Sequence, residues 1–239
     1  MTELLYQTDS YVQMFNAVVT GIDEANHAVL LNRTAFYPGG GGQLFDTGSL
    51  SLGAVVYQVD RPRKSPEGIW HKLLGDAPLP TIGSSVQGQL DWTKRYQLMR
   101  THSAMHILCG VVFRDYGALV TGGDMDPLKA RMDFEFETLS KELVGVIEKT
   151  INYEAAKGYP IRVNILPREE AFKIPDLLRT KINLLPPEIK EVRVVEIVGL
   201  DLQADGGTHV NNTTEIGPIR IVDYKSKGKI NKRVYVELS

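Results

Sequence analysis

The first ninety residues hold no stretch of apolar side chains at helical spacing, whereas the segment from Asp91 to Tyr116 holds a continuous one. That switch limits the fold more than any other feature of the chain. Before it, residues 15–22 are mostly apolar, Asp23, Glu24 and Asn26 mark a turn, and 28–31 resume in β-forming residues. Glycines at 39–42, Gly48 and Gly53 follow, then a 55–57 strand and a Pro- and Gly-laden tract over 61–83. Many short strands separated by turns predict a small closed β-barrel over residues 1–90.

After the switch, Asp91 or Thr93 caps a helix that Gly117 stops, with Leu98, Met105, Leu108, Val112 and Tyr116 recurring at three- and four-residue steps. A second helix starts at Ser140, carries Glu142 in its first turn, shows Leu143, Ile147 and Ile151 as its apolar face, and ends at Gly158-Tyr159-Pro160. Strands are expected at 161–166, 192–198, 217–223 and 233–238. Helices and strands in that irregular order predict a two-layer α+β domain over residues 91–239. The fold class is α+β, with one boundary near Leu90.

Composition narrows the function. Lys plus Arg number 27 against 29 Asp plus Glu, a net charge of −2, which excludes a generally basic nucleic-acid coat and leaves room for a local patch. No apolar run reaches the ~18 residues of a membrane helix, so a soluble, cytoplasmic protein is expected. The single cysteine, Cys109, removes any all-cysteine metal site. A metal must then be held by His and carboxylate.

Two pairs supply such ligands. His102 and His106, at i and i+4 on the first helix, stack on one face where both can reach one ion. Cys109 lies on nearly the same face, but about 10 Å of helix rise separates it from His102, so it reads as a core residue. Asp205 and His209 are also four apart, around Gly206-Gly207, whose freedom lets a carboxylate and an imidazole converge without a helix. Together the pairs predict one His₃Asp zinc site per chain; three imidazoles argue against Mg²⁺ or Ca²⁺. Asp205 either completes a closed four-ligand site or orients a water beside an open position. The run Thr34-Ala-Phe-Tyr-Pro-Gly-Gly-Gly-Gly-Gln43 lacks the Lys-Ser/Thr of a P-loop and the strand-to-helix setting of a dinucleotide site. It is either a bend in the barrel wall or a place where a ligand approaches bare backbone. Residues 219–239 carry six basic side chains (Arg220, Lys225, Lys227, Lys229, Lys232 and Arg233) against Asp223 and Glu237. This is a solvated hairpin or a phosphate-binding patch in which Lys227, Lys229 and Lys232 are densest. Lys94, Arg95 and Arg100 form a second candidate patch.

The 34–43 run with the following Asp46-Thr-Gly48, then Arg100-Thr-His-Ser-Ala-Met-His106, then Gly206-Gly-Thr-His209, resembles the motif set of the alanyl-tRNA editing proteins, freestanding relatives of the alanyl-tRNA synthetase editing domain. The match in order and spacing covers nearly the whole chain. It implies a β-barrel joined to an α+β editing domain, zinc at His102, His106 and His209, and deacylation of tRNA(Ala) wrongly charged with serine or glycine. It implies neither the synthetase's adenylating core nor the C-terminal extension of larger relatives. The residue four before the last His is often Cys in that family; here it is Asp205, a harder ligand. No Ser–His–Asp triad or reactive cysteine is legible, which favours attack by water. Alanine is smaller than serine, so size cannot exclude it; a pocket that hydrogen-bonds the seryl hydroxyl can still discriminate by ~10⁴-fold. The resemblance makes Thr34 the reader of that hydroxyl and Gln43 a second contact, with Gly40, Gly41 and Gly42 offering amide donors to the ester oxygen. By themselves, a strand threonine and a turn glutamine would carry no such role. A zinc-stabilised tRNA-binding module without turnover, and a zinc hydrolase of another small ester, stay open as alternatives.

Overall fold

The computed structural model describes residues 2–175, 177–180 and 189–239. The elements run β1 (Glu3–Leu4), β2 (Met14–Asp23), β3 (Ala28–Leu31), β4 (Arg33–Thr34), β5 (Gly48–Leu52), β6 (Val55–Ser65), β7 (Gly68–Leu74), β8 (Ser85–Leu90) and α1 (Trp92–Tyr116). There follow β9 (Val120–Asp126), β10 (Lys129–Glu135), α2 (Lys141–Ala156), β11 (Ile161–Pro167), α3 (Arg168–Ala171), β12 (Glu191–Ile197), β13 (Asp201–Ala204), β14 (Ile219–Ser226) and β15 (Asn231–Leu238). The fold is mixed α+β, as expected. No helix among the described residues is long and apolar enough to cross a membrane.

The chain divides into two compact units. One comprises Met1–Gly40 and Leu44–Tyr96; the other comprises Gly41–Gln43 and Gln97–Ser239. The division therefore falls six residues beyond the expected Leu90, inside α1, and the middle of the glycine run counts with the second unit.

The first unit is a closed barrel in the order β2-β3-β7-β6-β5-β8, every neighbouring pair antiparallel. Strict alternation builds it: β8 buries Val86, Gly88 and Leu90, and β2 buries Phe15, Ala17 and Val19. These side chains join Val29, Leu31, Phe36, Leu50, Tyr57, Val59 and Leu73 in one core. The glycine loop leaves the barrel at Tyr37 and returns at Asp46, where Tyr37 N donates to Asp46 Oδ2 (2.7 Å) and Asp46 N donates to Tyr37 O (3.0 Å). Arg95 is fully buried on the same carboxylate, its guanidinium donating to both Asp46 oxygens and to the carbonyls of Ser10 and Ala35. Four consecutive residues, Gly39 to Gly42, have positive φ (86°, 127°, 58° and 86°), a path closed to ordinary L side chains.

The second unit holds a four-stranded sheet, β14-β15-β10-β9, and a three-stranded sheet, β11-β12-β13. α2 starts where expected, with Ser140 Oγ accepting from Leu143 N (3.2 Å). Its buried face is Val144, Ile147 and Ile151, one residue round from the expected face, and Leu143 is only half-buried. α2 is tied to β14 by Asn152, which accepts from Ile219 N (2.9 Å) and donates to Ile219 O (2.7 Å). α1 also departs from expectation. From Thr101 to Val112 every residue is buried, so the helix is wrapped on all sides, not along one stripe, and Tyr116 at its end is exposed. The β9–β10 hairpin and β13 were not foreseen.

Asp46→Ala should strand a buried guanidinium and cost the first unit roughly 3–5 kcal/mol, read as a lower urea midpoint. A loss below 1 kcal/mol would mean that water replaces the carboxylate.

Candidate metal centre

The second unit brings His102, His106, Asp205 and His209 together with one ligand atom each, all within 4.8 Å of one another, a set that could hold a metal ion. The ring centroids stand 5.1 Å (His102–His106), 4.3 Å (His102–His209) and 4.7 Å (His106–His209) apart. The first two rings come from adjacent turns of α1; the other two groups come from the loop leaving β13.

What the second nitrogen of each ring does decides whether the first is available. His102 Nδ1 is 2.9 Å from Gln43 Oε1, an acceptor only, so that nitrogen carries the proton and Nε2 faces the cluster, 3.5 Å from Asp205 Oδ1. His106 Nδ1 is 3.0 Å from Asp201 Oδ2, which leaves its Nε2 likewise. His209 Nδ1 lies 3.4 Å from Ser103 Oγ, and its Nε2 is 2.9 Å from Asp205 Oδ2. Asp205 is anchored by Gly207 N (2.7 Å to Oδ2), and Arg193 Nη1 donates to its backbone carbonyl (3.0 Å).

Gln43 reaches His102 because Gly42 O accepts from Met125 N (3.0 Å), bridging the glycine run to β9. Its amide oxygen is engaged twice, since Oε1 also accepts from Thr208 N (2.9 Å), and one N–H of Nε2 donates to Thr208 Oγ1 (2.9 Å). Gln43 thus fixes the orientation of the His102 ring through its amide oxygen. Two glycines admit these partners. A Cβ on Gly207 would fall 2.3 Å from His102 Cε1 and 2.6 Å from Gln43 Oε1, and one on Gly110 would fall 2.9 Å from Asp201 Cβ. Gly110 lies one turn beyond His106 on α1, so its bare backbone lets Asp201 approach that ring.

Asp201 is the functional residue that sequence reasoning missed. Its side chain is fully buried and is held by Gln203 Nε2 (2.6 Å) and Arg179 Nε (3.5 Å). A glycine in the middle of a buried helix was its one trace in the sequence.

Burial dominates the electrostatics. It pushes His102 down to about 4 and His209 well below its usual value, so both rings are neutral at physiological pH. At His106 burial acts in the same direction, but the Asp201 carboxylate outweighs it and raises the pKa. Burial would raise Asp205; the surrounding imidazoles overcome it and hold the carboxyl ionised, well below its usual range. The neutral rings of His102 and His209 and the ionised carboxylate are in the states a cation needs, and at His106 a cation competes with the proton that Asp201 favours. Cys109 is buried, its thiol pushed well up by desolvation, and it stands outside the cluster.

The other expected residues lie elsewhere. Thr34 belongs to the first unit and is fully buried; its Oγ1 is 2.8 Å from His71 Nε2 and accepts from Phe36 N (3.1 Å). His71 Nδ1 faces Val29 O (3.3 Å), so Nε2 is the acceptor and Thr34 donates its hydroxyl proton to it. What Thr34 keeps for a ligand is one acceptor lone pair. Gly40 and Gly41 are exposed and Gly42 half-buried.

The basic cluster requires correction. Lys232 is buried, its ammonium donating to the carbonyls of Gly228 (2.8 Å) and Lys229 (3.0 Å), so it staples its own turn and is not offered to phosphate. Arg233 is bidentate on Asp133 and Lys225 pairs with Asp223, leaving Arg220, Lys227 and Lys229 exposed without an ion pair among the described residues. In the second patch, Arg95 is buried on Asp46, and Arg100 is committed to the carbonyls of Ile216 and Ser239.

Comparison with known proteins gives a consistent set of likenesses. Residues 192–235 match the threonyl and alanyl tRNA synthetase second additional domain, and residues 5–94 match the class II (A) tRNA synthetases. The alanyl-tRNA editing protein AlaX-M of Saccharolobus solfataricus is 41% identical over 237 residues, 98% of each chain. That of Methanosarcina barkeri is 38% identical over 242 residues, 100% of this chain and 99% of its own. The alanine–tRNA ligase of Ignicoccus hospitalis is 37% identical over 227 residues, 92% of this chain but 24% of that enzyme.

Asp201→Asn keeps the shape of the His106 partner and removes its charge. Zinc affinity, measured by competition with a chromophoric chelator, should fall about 10- to 100-fold. Unchanged affinity would reduce Asp201 to packing. A second expectation concerns pH. Burial drives His71 to about 4 from an ordinary 6.5, so between those values the unfolded chain binds the extra proton and the folded one does not. Stability should therefore be intact above pH 6.5 and fall as pH drops toward 4, by on the order of 3 kcal/mol from this ring. His71→Gln should flatten that slope in urea titrations of the metal-free protein; an unaltered slope would acquit His71.

Proposed function

The chain belongs to the alanyl-tRNA editing proteins, and from that premise we propose that it is a cytoplasmic aminoacyl-tRNA deacylase that hydrolyses tRNA(Ala) mischarged with serine or glycine and spares alanyl-tRNA(Ala). The observation that carries the reading is the buried cluster of imidazoles and an ionised carboxylate, in a chain whose full-length relatives are named for editing alanyl-tRNA.

One zinc ion per chain is assigned to Nε2 of His102, His106 and His209, with the Asp205 carboxylate beside an open fourth position, where it orients a water. Three nitrogen donors favour zinc over the hard cations that want oxygen. When bound, such an ion supplies Lewis acidity and a water of lowered pKa.

The chain's own groups do the remainder. Asp205 is ionised, while Asp201 is fully occupied by His106, Gln203 and Arg179. Asp205 is therefore the carboxylate that takes the proton of the attacking water. Gln43 holds the His102 ring so that its Nε2 stays unprotonated. Gly40, Gly41 and Gly42 let the aminoacyl ester approach backbone amides that receive the developing oxyanion. Thr34, its proton committed to His71, accepts a hydrogen bond from the seryl hydroxyl, which an alanyl group cannot give. Lys227 and Lys229 contact tRNA phosphates.

Seryl-, glycyl- and alanyl-tRNA(Ala) should separate under a deacylation assay, the first two hydrolysed and the third spared. A module without turnover would leave all three intact, and a hydrolase of small esters would show no dependence on the tRNA. Thr34→Val sharpens the test. It should lower the rate on seryl-tRNA by about 1–3 kcal/mol in transition-state binding while leaving or raising the rate on alanyl-tRNA. Equal losses on both, at matched zinc content, would make Thr34 a barrel residue only.

A further inference from the structure

We propose that Phe45, Arg61 and Lys94 form a binding site on the first unit for phosphodiester groups of the unpaired 3′ end of tRNA; this rests on the reading of tRNA as substrate. Two cations from separate elements converge on one half-buried ring. The Arg61 guanidinium carbon lies 5.3 Å from the Phe45 ring centroid and Lys94 Nζ lies 4.7 Å from it.

Neither cation arrives there by accident of a flexible surface. β6 buries Tyr57 and Val59 in strict alternation, then shifts register between Val59 and Pro62. The extra residue of this bulge turns Arg61 out of the barrel wall, the usual effect of such an insertion. Lys94 is held in the first turn of α1, where Asp91 Oδ1 accepts its backbone N–H (3.2 Å). Phe45 is fixed by its neighbour Asp46, buried under Arg95.

Two like charges on one ring repel each other, and cation–π attraction offsets that by only about 0.5–1 kcal/mol each at an exposed site. Among the described residues neither Arg61 nor Lys94 has a carboxylate within ion-pair distance, although Arg63, two residues on, lies 4.0 Å from Asp23. An anion is the missing partner. The contrast with the C-terminal cluster is direct: there Arg233 and Lys225 have acidic partners and Lys232 is spent on carbonyls. Commitment to the unpaired end comes from the chain itself. Phe45 follows Gln43 by two residues, and Lys94 precedes His102 by eight on the same helix. A single strand bends to present successive phosphates to such a pair, and a base or ribose can rest on the apolar ring between them.

The test uses uncharged tRNA(Ala), full-length and lacking its unpaired 3′ nucleotides, in fluorescence-anisotropy titrations over a salt series. The proteins are wild type, R61Q/K94Q, and K141Q/K149Q, which removes two exposed charges from α2. R61Q/K94Q should bind full-length tRNA about tenfold more weakly, with a log–log salt slope shallower by about 1.4, two phosphates' worth for a single strand. Shortened tRNA should bind wild type and R61Q/K94Q equally. Zinc content and the thermal melt should match wild type, since both side chains lie outside the barrel core. The proposal is overturned if R61Q/K94Q behaves like K141Q/K149Q, or if its deficit persists on shortened tRNA. Because binding is read without turnover, an inactive wild type would sink the deacylase reading and leave this result standing.

Discussion

An imidazole buried beside other imidazoles serves a cation only if its far nitrogen already has a proton and a place to put it. That requirement organises the second unit. Gln43 and Asp201 each accept from an Nδ1 of α1, and in doing so they fix tautomer, ring rotation and the direction of Nε2. Each of these partners is brought from afar, Gln43 by a bridge to β9 and Asp201 from the start of β13. Each is admitted by a glycine against which a methyl group would collide, Gly207 for the first and Gly110 for the second. The ligand cluster is thus the inner part of a larger polar assembly in which Thr208, Gln203, Arg179 and Arg193 hold the groups that hold the ligands. In a buried site every such polar atom left unmatched would cost about 1–3 kcal/mol, so the assembly stands or falls as a unit.

The parts of this arrangement that were legible in the sequence are those whose physics is local. Caps and stops bracket both helices because Asp91 and Ser140 bind amides three residues away and Gly117 and Gly158 take positive φ. The four-residue spacings of His102–His106 and Asp205–His209 place ligands together through one helical turn and one tight loop. The barrel was legible because alternation and turn residues recur within a few positions. Asp201 was not, because nothing within its own strand distinguishes a carboxylate that faces His106 from one that faces water. Gln43 was singled out, but its bond to His102 was not legible, because the two residues stand 59 positions apart in the chain. The all-round burial of α1 escaped for a related reason, since His102, Ser103 and His106 look polar until their hydrogen bonds are known.

Charge counting along the sequence overstated how many cations the C-terminal segment offers, since Lys232 is spent on carbonyls of its own turn. Six basic residues against two acidic ones near the C-terminus made the densest positive segment of the sequence. Strand pairing sets Arg233 directly opposite Asp133 on β10, 100 residues away in the chain, and that carboxylate neutralises one of the six cations. Arg61 and Lys94, 33 positions apart, were unremarkable in any window of sequence, yet the barrel and the start of α1 set them on one ring. A net charge of −2 is compatible with binding a polyanion because what matters at the surface is which cations lack partners.

The hydrogen-bond state of Thr34 has a consequence for selectivity on the proposed reading. With its proton donated to His71 Nε2, the hydroxyl can only accept. Serine carries a donor and gains this bond; alanine carries a methyl group in the same place and leaves the lone pair unsolvated. Glycine has neither group. It cannot make the bond, but it also leaves room for a water to make it instead, so the lone pair need not go unmatched. The three substrates should then fall in the order serine, glycine, alanine, with glycine intermediate because a water replaces the missing hydroxyl. In this arrangement the larger substrate is accepted and the smaller one refused without any steric wall, and the distinction is set by a histidine that burial keeps neutral.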